Sequence, residues 1–178
     1  FDRVVVGAGF KPWWVAIDDV SSDGVADLVT ANAESSDLTI LTGVAGGGFA
    51  GGRRLPLREP GFSVAIADFD GDGVADLAAG NGRDSAVSVI LGEGGGTFAA
   101  AARWGVGDGP FPVHVSDVDG DSIADLVAVN ELSGDISIRL GEGDGSFGPD
   151  LRYEVGEAPF ALALADLDGD GADDLIVP

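Results

Sequence analysis

The chain has 178 residues, 45% of them hydrophobic, which is enough for one domain with a real core and too many for a disordered tail. Its 31 acidic and 9 basic residues leave a formal net charge of −22, which repels nucleic acid and anionic membrane surfaces and makes cations the natural partners. Cysteine is absent, so disulfides and thiolate metal sites are excluded, and no apolar run approaches the roughly 18 residues that span a bilayer as a helix.

From the N-terminus, Asp2–Val6 reads as the outer strand of a preceding unit, residues 1–9. A repeat then dominates. Asp19 to Asp27, Asp68 to Asp76, Asp117 to Asp125 and Asp166 to Asp174 align without a gap at a step of 49 residues, the spacing of an array of supersecondary units. The units run over 10–58, 59–107 and 108–156, with a partial fourth at 157–178. Within the second unit, period-two alternation broken by turn residues predicts strands at Ser63–Asp68, Ala75–Gly80, Val87–Leu91 and Phe98–Val106. No segment carries a helical apolar stripe of ten or more residues, so the expected class is all-β. Four short strands per repeat suit a β-propeller blade, an antiparallel sheet that packs face to face on its neighbours around an axis. The first strands fit the innermost place: Val64 and Ile66 point one way and the small Ala65 and Ala67 the other. About three and a half blades are present, so the chain is expected either to be a segment of a longer one or to self-associate to complete a ring.

The turn after each first strand carries the chemistry. Asp68-Phe69-Asp70-Gly71-Asp72-Gly73-Val74-Ala75-Asp76 places carboxylates at positions 1, 3, 5 and 9, and a backbone carbonyl at position 7 would complete an oxygen shell. Hard oxygen donors in that number suit Ca²⁺ better than Mg²⁺, and a chain with no Cys and one His, His114, disfavours zinc. The opening is like an EF-hand loop through the turn glycine Gly73, but Ala79 stands where that loop has its bidentate Glu. Acidic turns without metal are the plain alternative, against which stands the repulsion of four carboxylates within nine residues.

Val64-Ala-Ile-Ala-Asp-Phe-Asp-Gly-Asp-Gly-Val-Ala-Asp-Leu77 and Val87-Ser-Val-Ile-Leu-Gly-Glu-Gly-Gly-Gly-Thr-Phe98 resemble the FG-GAP or VCBS repeats of integrin α-subunit propellers and many bacterial secreted and surface proteins. The resemblance covers essentially the whole chain. It implies calcium-ligand roles for Asp68, Asp70, Asp72, the Val74 carbonyl and Asp76, and for Asp166, Asp168, Asp170, the Ala172 carbonyl and Asp174. The first loop departs from the pattern, with Ser21 between Asp19, Asp23, the Val25 carbonyl and Asp27, and is expected to bind more weakly. The third keeps Asp117, Asp119, Asp121, the Ile123 carbonyl and Asp125, but Ser122 replaces the turn glycine and must take its backbone conformation.

Other residues invite a functional reading. Arg54, Arg103 and Arg152 recur on the last strand; they could form a ligand rim and are read as gatekeepers of an outer edge. Trp13 is the repeat equivalent of Phe62, Phe111 and Phe160 and is assigned to the core, which leaves Trp14 as the ligand candidate. His114 replaces a recurring alanine and is read as an interior or channel histidine. Gly92–Gly96 and Gly141–Gly145 lead into strands and are hairpin turns rather than phosphate loops.

The expected function is a non-catalytic, calcium-binding adhesion or ligand-binding module of a secreted or cell-surface protein, recognising protein or carbohydrate in a lectin-like way. The location follows from weak calcium sites working where calcium is plentiful. The alternatives are an accessory propeller of a secreted polysaccharide-acting enzyme and a structural or engineered repeat.

Overall fold

A computed structural model describes residues 6–178. Among them no helix forms and every regular element is a strand. The first blade is the sheet β1 (Pro12–Asp18), β2 (Asp27–Asn32), β3 (Asp37–Gly43) and β4 (Phe49–Pro56), antiparallel in that order. The second is β5 (Gly61–Ala67), β6 (Asp76–Asn81), β7 (Ala86–Ile90) and, beyond a two-stranded hairpin of β8 (Gly92–Gly94) and β9 (Thr97–Phe98), the outer strand β10 (Ala102–Gly105). The third is β11 (Pro110–Ser116), β12 (Asp125–Asn130), β13 (Asp135–Arg139) and β14 (Leu151–Glu154), and the fourth holds β15 (Ala163–Ala165) and β16 (Asp174–Ile176). The strand expected at Asp2–Val6 lies outside the described residues apart from Val6, which is in no strand.

The single strand expected over Phe98–Val106 is divided in the second blade. Phe98 pairs with Gly92 in the small hairpin, and pairing with β7 resumes only at Ala102 opposite Val89. The glycine run Gly94-Gly95-Gly96, all at positive φ, turns the chain so sharply that the hairpin leaves the plane of the blade.

Three apolar clusters fill the spaces between successive blades. Val64 and Ile66 of β5 pack toward the first blade with Val29, Leu38 and Ile40. Val113 and Val115 of β11 pack toward the second with Val87 and Val89, and Leu162 and Leu164 pack toward the third with Val127, Ile136 and Ile138. The large member of each large/small pair therefore faces the preceding blade. Val15 and Ile17, the same positions in β1, are 54% and 66% exposed, because among the described residues no blade covers that side. The middle strands β6 and β12 are buried along their whole length, because each is covered by a blade on both faces.

A polar ladder threads this apolar stack. Asn32 donates from Nδ2 to Asp37 Oδ1 at 2.7 Å and Thr39 Oγ1 at 2.9 Å, and Asn130 does the same to Asp135 Oδ1 at 2.6 Å and Ser137 Oγ at 2.9 Å. Arg54 and Arg152 reach inward from the outer strands to those same aspartates, and Arg103 pairs with Asp84. The recurring arginines thus tie outer strands to acids at the start of the third strand or in the turn before it, as well as charging the edge.

Candidate metal centres

Each acidic loop joins the first two strands of a blade, and its two ends are held together by pairing across the sheet: Ala67 lies opposite Asp76, Ser116 opposite Asp125, and Ala165 opposite Asp174. Eight residues must bridge that short gap, so the loop curls. Its own carboxylates accept the N–H groups that the curl leaves unpaired. Asp68 takes Gly71 N at 2.8 Å and Gly73 N at 2.9 Å, Asp72 takes Val74 N at 2.7 Å, and the third and fourth loops repeat these bonds at Asp117, Asp121, Asp166 and Asp170. Ser122 stands at φ 68°, in the left-handed region its glycine counterparts occupy, as its position requires.

Position 9 has a second task, legible in the structure alone. Asp76 is fully buried and accepts Phe69 N at 2.7 Å on one oxygen and Gly92 N at 2.6 Å on the other; Asp125 does so with Val118 and Gly141. It clips the acidic loop to the turn after the third strand. Gly92 is required there: a Cβ would fall 2.5 Å from the Ala75 carbonyl oxygen.

The curl gathers carboxylates. Oxygens of Asp68, Asp70 and Asp76 lie within 4.8 Å of one another, as do those of Asp117, Asp119 and Asp125 and those of Asp166, Asp168 and Asp174. Ligands of one Ca²⁺ at 2.3–2.6 Å stand no more than about 5.2 Å apart, so the spacing fits one calcium ion per loop. The position-5 residues Asp72, Asp121 and Asp170 stand outside these groups, each with one oxygen engaged in its turn. The first loop gathers no such group. Ser21 N, rather than the N–H of position 2, bonds Asp27 at 2.8 Å, and Ser22 occupies φ 58° where the other three loops have glycine. Sequence reasoning weighed Ser21 and overlooked Ser22.

Among the described residues no Lys or Arg pairs with a loop carboxylate. Asp76 and Asp125 are pushed above the usual carboxylate range, first by burial and then by the neighbouring loop carboxylates, against the pull of their backbone hydrogen bonds. Asp70 is also raised, by burial before the charges of Asp72 and Asp68. Asp19 is instead lowered, first by the N–H of Gly24. Raised folded-state values mean that protonation favours the fold. The metal-stripped protein should therefore gain stability as pH falls from neutrality through the raised values toward the ordinary range near about 4, whereas the calcium-loaded protein should lose it as protons compete for the ligands. Melting curves of both forms across that window test the sign, and Asp76→Asn should shrink the acid gain.

The acidic loops touch the neighbouring blade. Gly145 N of the third blade donates to the Phe69 carbonyl of the second loop at 3.0 Å, and Asp173 N of the fourth loop donates to the Asp117 carbonyl at 3.1 Å. The Ser116 hydroxyl also bonds the Asp173 carboxylate. Both residues break the repeat, since the other blades carry Asp18, Ala67 or Ala165 in place of Ser116 and alanine in place of Asp173.

Elsewhere two assignments are corrected. Trp13 is 52% exposed and meets Phe62 edge to face at 5.9 Å, so it is a surface residue and not core. Trp14 is half-buried, packs against the first apolar cluster and meets Phe111 at 5.7 Å. The reason is a bulge: the pairing with β2 slips between Pro12 and Trp14, so Trp13 has no partner across the sheet and lies at its end against Phe62 of the second blade, while Trp14 shares the inward face of Ala16. His114 is half-buried on β11, burial lowers its basicity, and its buried Nε2 has no partner.

Solved structures share this fold. A lectin of Agrocybe aegerita that recognises non-reducing terminal N-acetylglucosamine is 22% identical, with a TM-score of 0.65 over 90% of this chain and 45% of its own. The Vibrio cholerae biofilm matrix protein Bap1 is 20% identical with a TM-score of 0.53, over 96% of this chain and 29% of its own. The Photorhabdus luminescens Tc holotoxin pore is 23% identical with a TM-score of 0.55, over 92% and 8%. The chain thus spans less than half of each of these, and at such identities the likeness concerns the fold. No curated protein is a detectable relative. The FG-GAP-like repeat model matches residues 19–79, 68–128 and 117–177, windows that each run from one acidic loop through the next, and the chain belongs to the FG-GAP-like repeat family.

Proposed function

We propose that this chain is a calcium-binding, non-catalytic propeller segment of a secreted or cell-surface protein, serving as an adhesion or ligand-binding module. The observation that carries the reading is the threefold gathering of carboxylates at positions 1, 3 and 9 without a basic partner. Calcium would be held by Asp68, Asp70 and Asp76, by Asp117, Asp119 and Asp125, and by Asp166, Asp168 and Asp174, with Asp72, Asp121 and Asp170 and the carbonyls of Val74, Ile123 and Ala172 completing the shells. Bound, the ion supplies charge neutralisation and a fixed loop. Catalysis is disfavoured because the carboxylates recur with the repeat instead of marking one pair. An extracellular place is supported by the calcium chemistry and by the likeness to a biofilm matrix protein.

Titration calorimetry of the metal-stripped chain tests this. Calcium should fill three sites and magnesium should bind far more weakly; equal heats for both ions, or none, would overturn the reading. Ser21→Asp alone should add little, because Ser22 keeps its strained turn, whereas Ser21→Asp with Ser22→Gly should raise the count to four.

A further inference from the structure

At the strand ends away from the metal loops lies a cavity that the metal chemistry does not use. Trp13, Phe62 and Phe111, each the second residue of its inner strand, line it together with Glu131 and Leu132 from the turn after β12. Its volume is about 190 Å³, the room of about six waters at liquid density. From Trp13 to Asp19 the chain advances six residues, about 20 Å in extended form, so the cavity and the ions are well separated. Three successive blades contribute one aromatic residue each, and Trp13 and Phe62 stand at 73° to each other, two walls of a corner.

The charge around this corner has one sign. Glu131 and Leu132 also line an adjoining cavity of about 500 Å³, whose other walls include Glu154 and Glu157. No Lys or Arg lines either space, in a chain of net charge −22. A neutral sugar would need several donors and acceptors, and the smaller cavity offers one carboxylate, one indole N–H and the backbone of Gly82 and Gly109 against three aromatic rings and a leucine. An apolar side chain would leave the acids without a role. Aromatic walls beside a carboxylate are the environment that attracts an organic cation, through the negative ring faces and the direct charge.

The geometry points to a binding site for a substituted ammonium group, its methyl groups among Trp13, Phe62 and Phe111 and its charge facing Glu131. The adjoining acidic cavity extends the same preference to whatever the ammonium group is attached to. The site does not depend on the calcium reading, because its walls come from the strands and from the turns at their far ends and not from the acidic loops.

Calorimetric titration of the full chain in calcium-containing buffer with choline chloride tests it. Saturable binding is expected, with the uncharged isostere 3,3-dimethylbutan-1-ol at least about tenfold weaker. Trp13→Ala and Glu131→Gln should each weaken choline by about tenfold or more with unchanged melting temperature, since both residues are exposed. Phosphatidylcholine vesicles beside free choline distinguish a lipid headgroup from a small cation. Absence of choline binding, equal binding of the isostere, binding of N-acetylglucosamine in choline's place, or unaltered binding by both variants would each overturn the site and leave the calcium assignment standing.

Discussion

Calcium should raise the melting temperature of the metal-stripped protein steeply, and magnesium at the same concentration should do much less. Binding to the folded state alone stabilises by RT ln(1 + [L]/Kd), about 2.7 kcal/mol per site at a hundred times Kd. Three independent sites would reach about 8 kcal/mol, a large share of the roughly 5–15 kcal/mol that holds an ordinary domain folded. The effect has a local cause. Each loop closes a strand pair at its tightest point, and without metal its charges are balanced only by backbone N–H groups. Asp70→Ala is the cleaner probe of one site, because Asp70 gives the turn a single bond at 3.2 Å, while Asp76 holds two backbone groups and its loss would damage the loop directly. In calorimetric melts, Asp70→Ala should remove about one site's share of the calcium response and change the metal-free curve little. Coincident curves in calcium, magnesium and chelator would mean that the loops are acidic turns and nothing more.

Phe69→Ala should be the most damaging single substitution in an acidic loop, at about 3–5 kcal/mol. The side chain is 1% exposed and meets Phe147 of the next blade edge to face at 5.4 Å, and Trp104 meets the same Phe147 at 5.2 Å. Its N–H bonds Asp76 and its carbonyl accepts Gly145 N. The substitution would therefore open a cavity at the junction of two blades and loosen the clip of the second acidic loop together. At roughly 2–4 °C per kcal/mol for a chain of this size, the melting temperature should fall by roughly 6–20 °C, and calcium affinity at one site should fall with it. Leu167, the same position in the fourth loop, is 65% exposed, and Leu167→Ala should change either quantity little. Equal effects at the two positions would show that the residue matters to the loop's own turn and not to the contact between blades.

Much of this was legible in the linear chain because the repeat writes the same message four times. A 49-residue step, period-two alternation and glycine at fixed offsets specify short antiparallel strands, and carboxylates at positions 1, 3 and 9 are brought together by a turn whose conformation is local. The large/small division of the inner strands was readable for a similar reason, since parity along a strand assigns faces before any neighbour is known.

What the sequence could not decide is what lies against each face. Trp13 aligns with three phenylalanines and so reads as core, yet it stands at a bulge at the end of its strand and its counterpart Phe160 on the fourth blade is 70% exposed, so this position is a rim, and burial depends on the neighbour and not on the residue. Asp76 reads as one more ligand, but only the folded blade brings the Gly92 N–H to it across sixteen residues and makes it a clip between turns. The first loop fails to gather its acids through the combined departure of Ser21 and Ser22, a matter of backbone geometry that ligand counting passes over. The bond between Ser116 and Asp173 joins positions 57 residues apart. Local sequence determines strand, turn and charge; contacts between blades, which depend on distances no local pattern contains, determined which carboxylates also serve the frame and where an aromatic, acid-rimmed cavity remains.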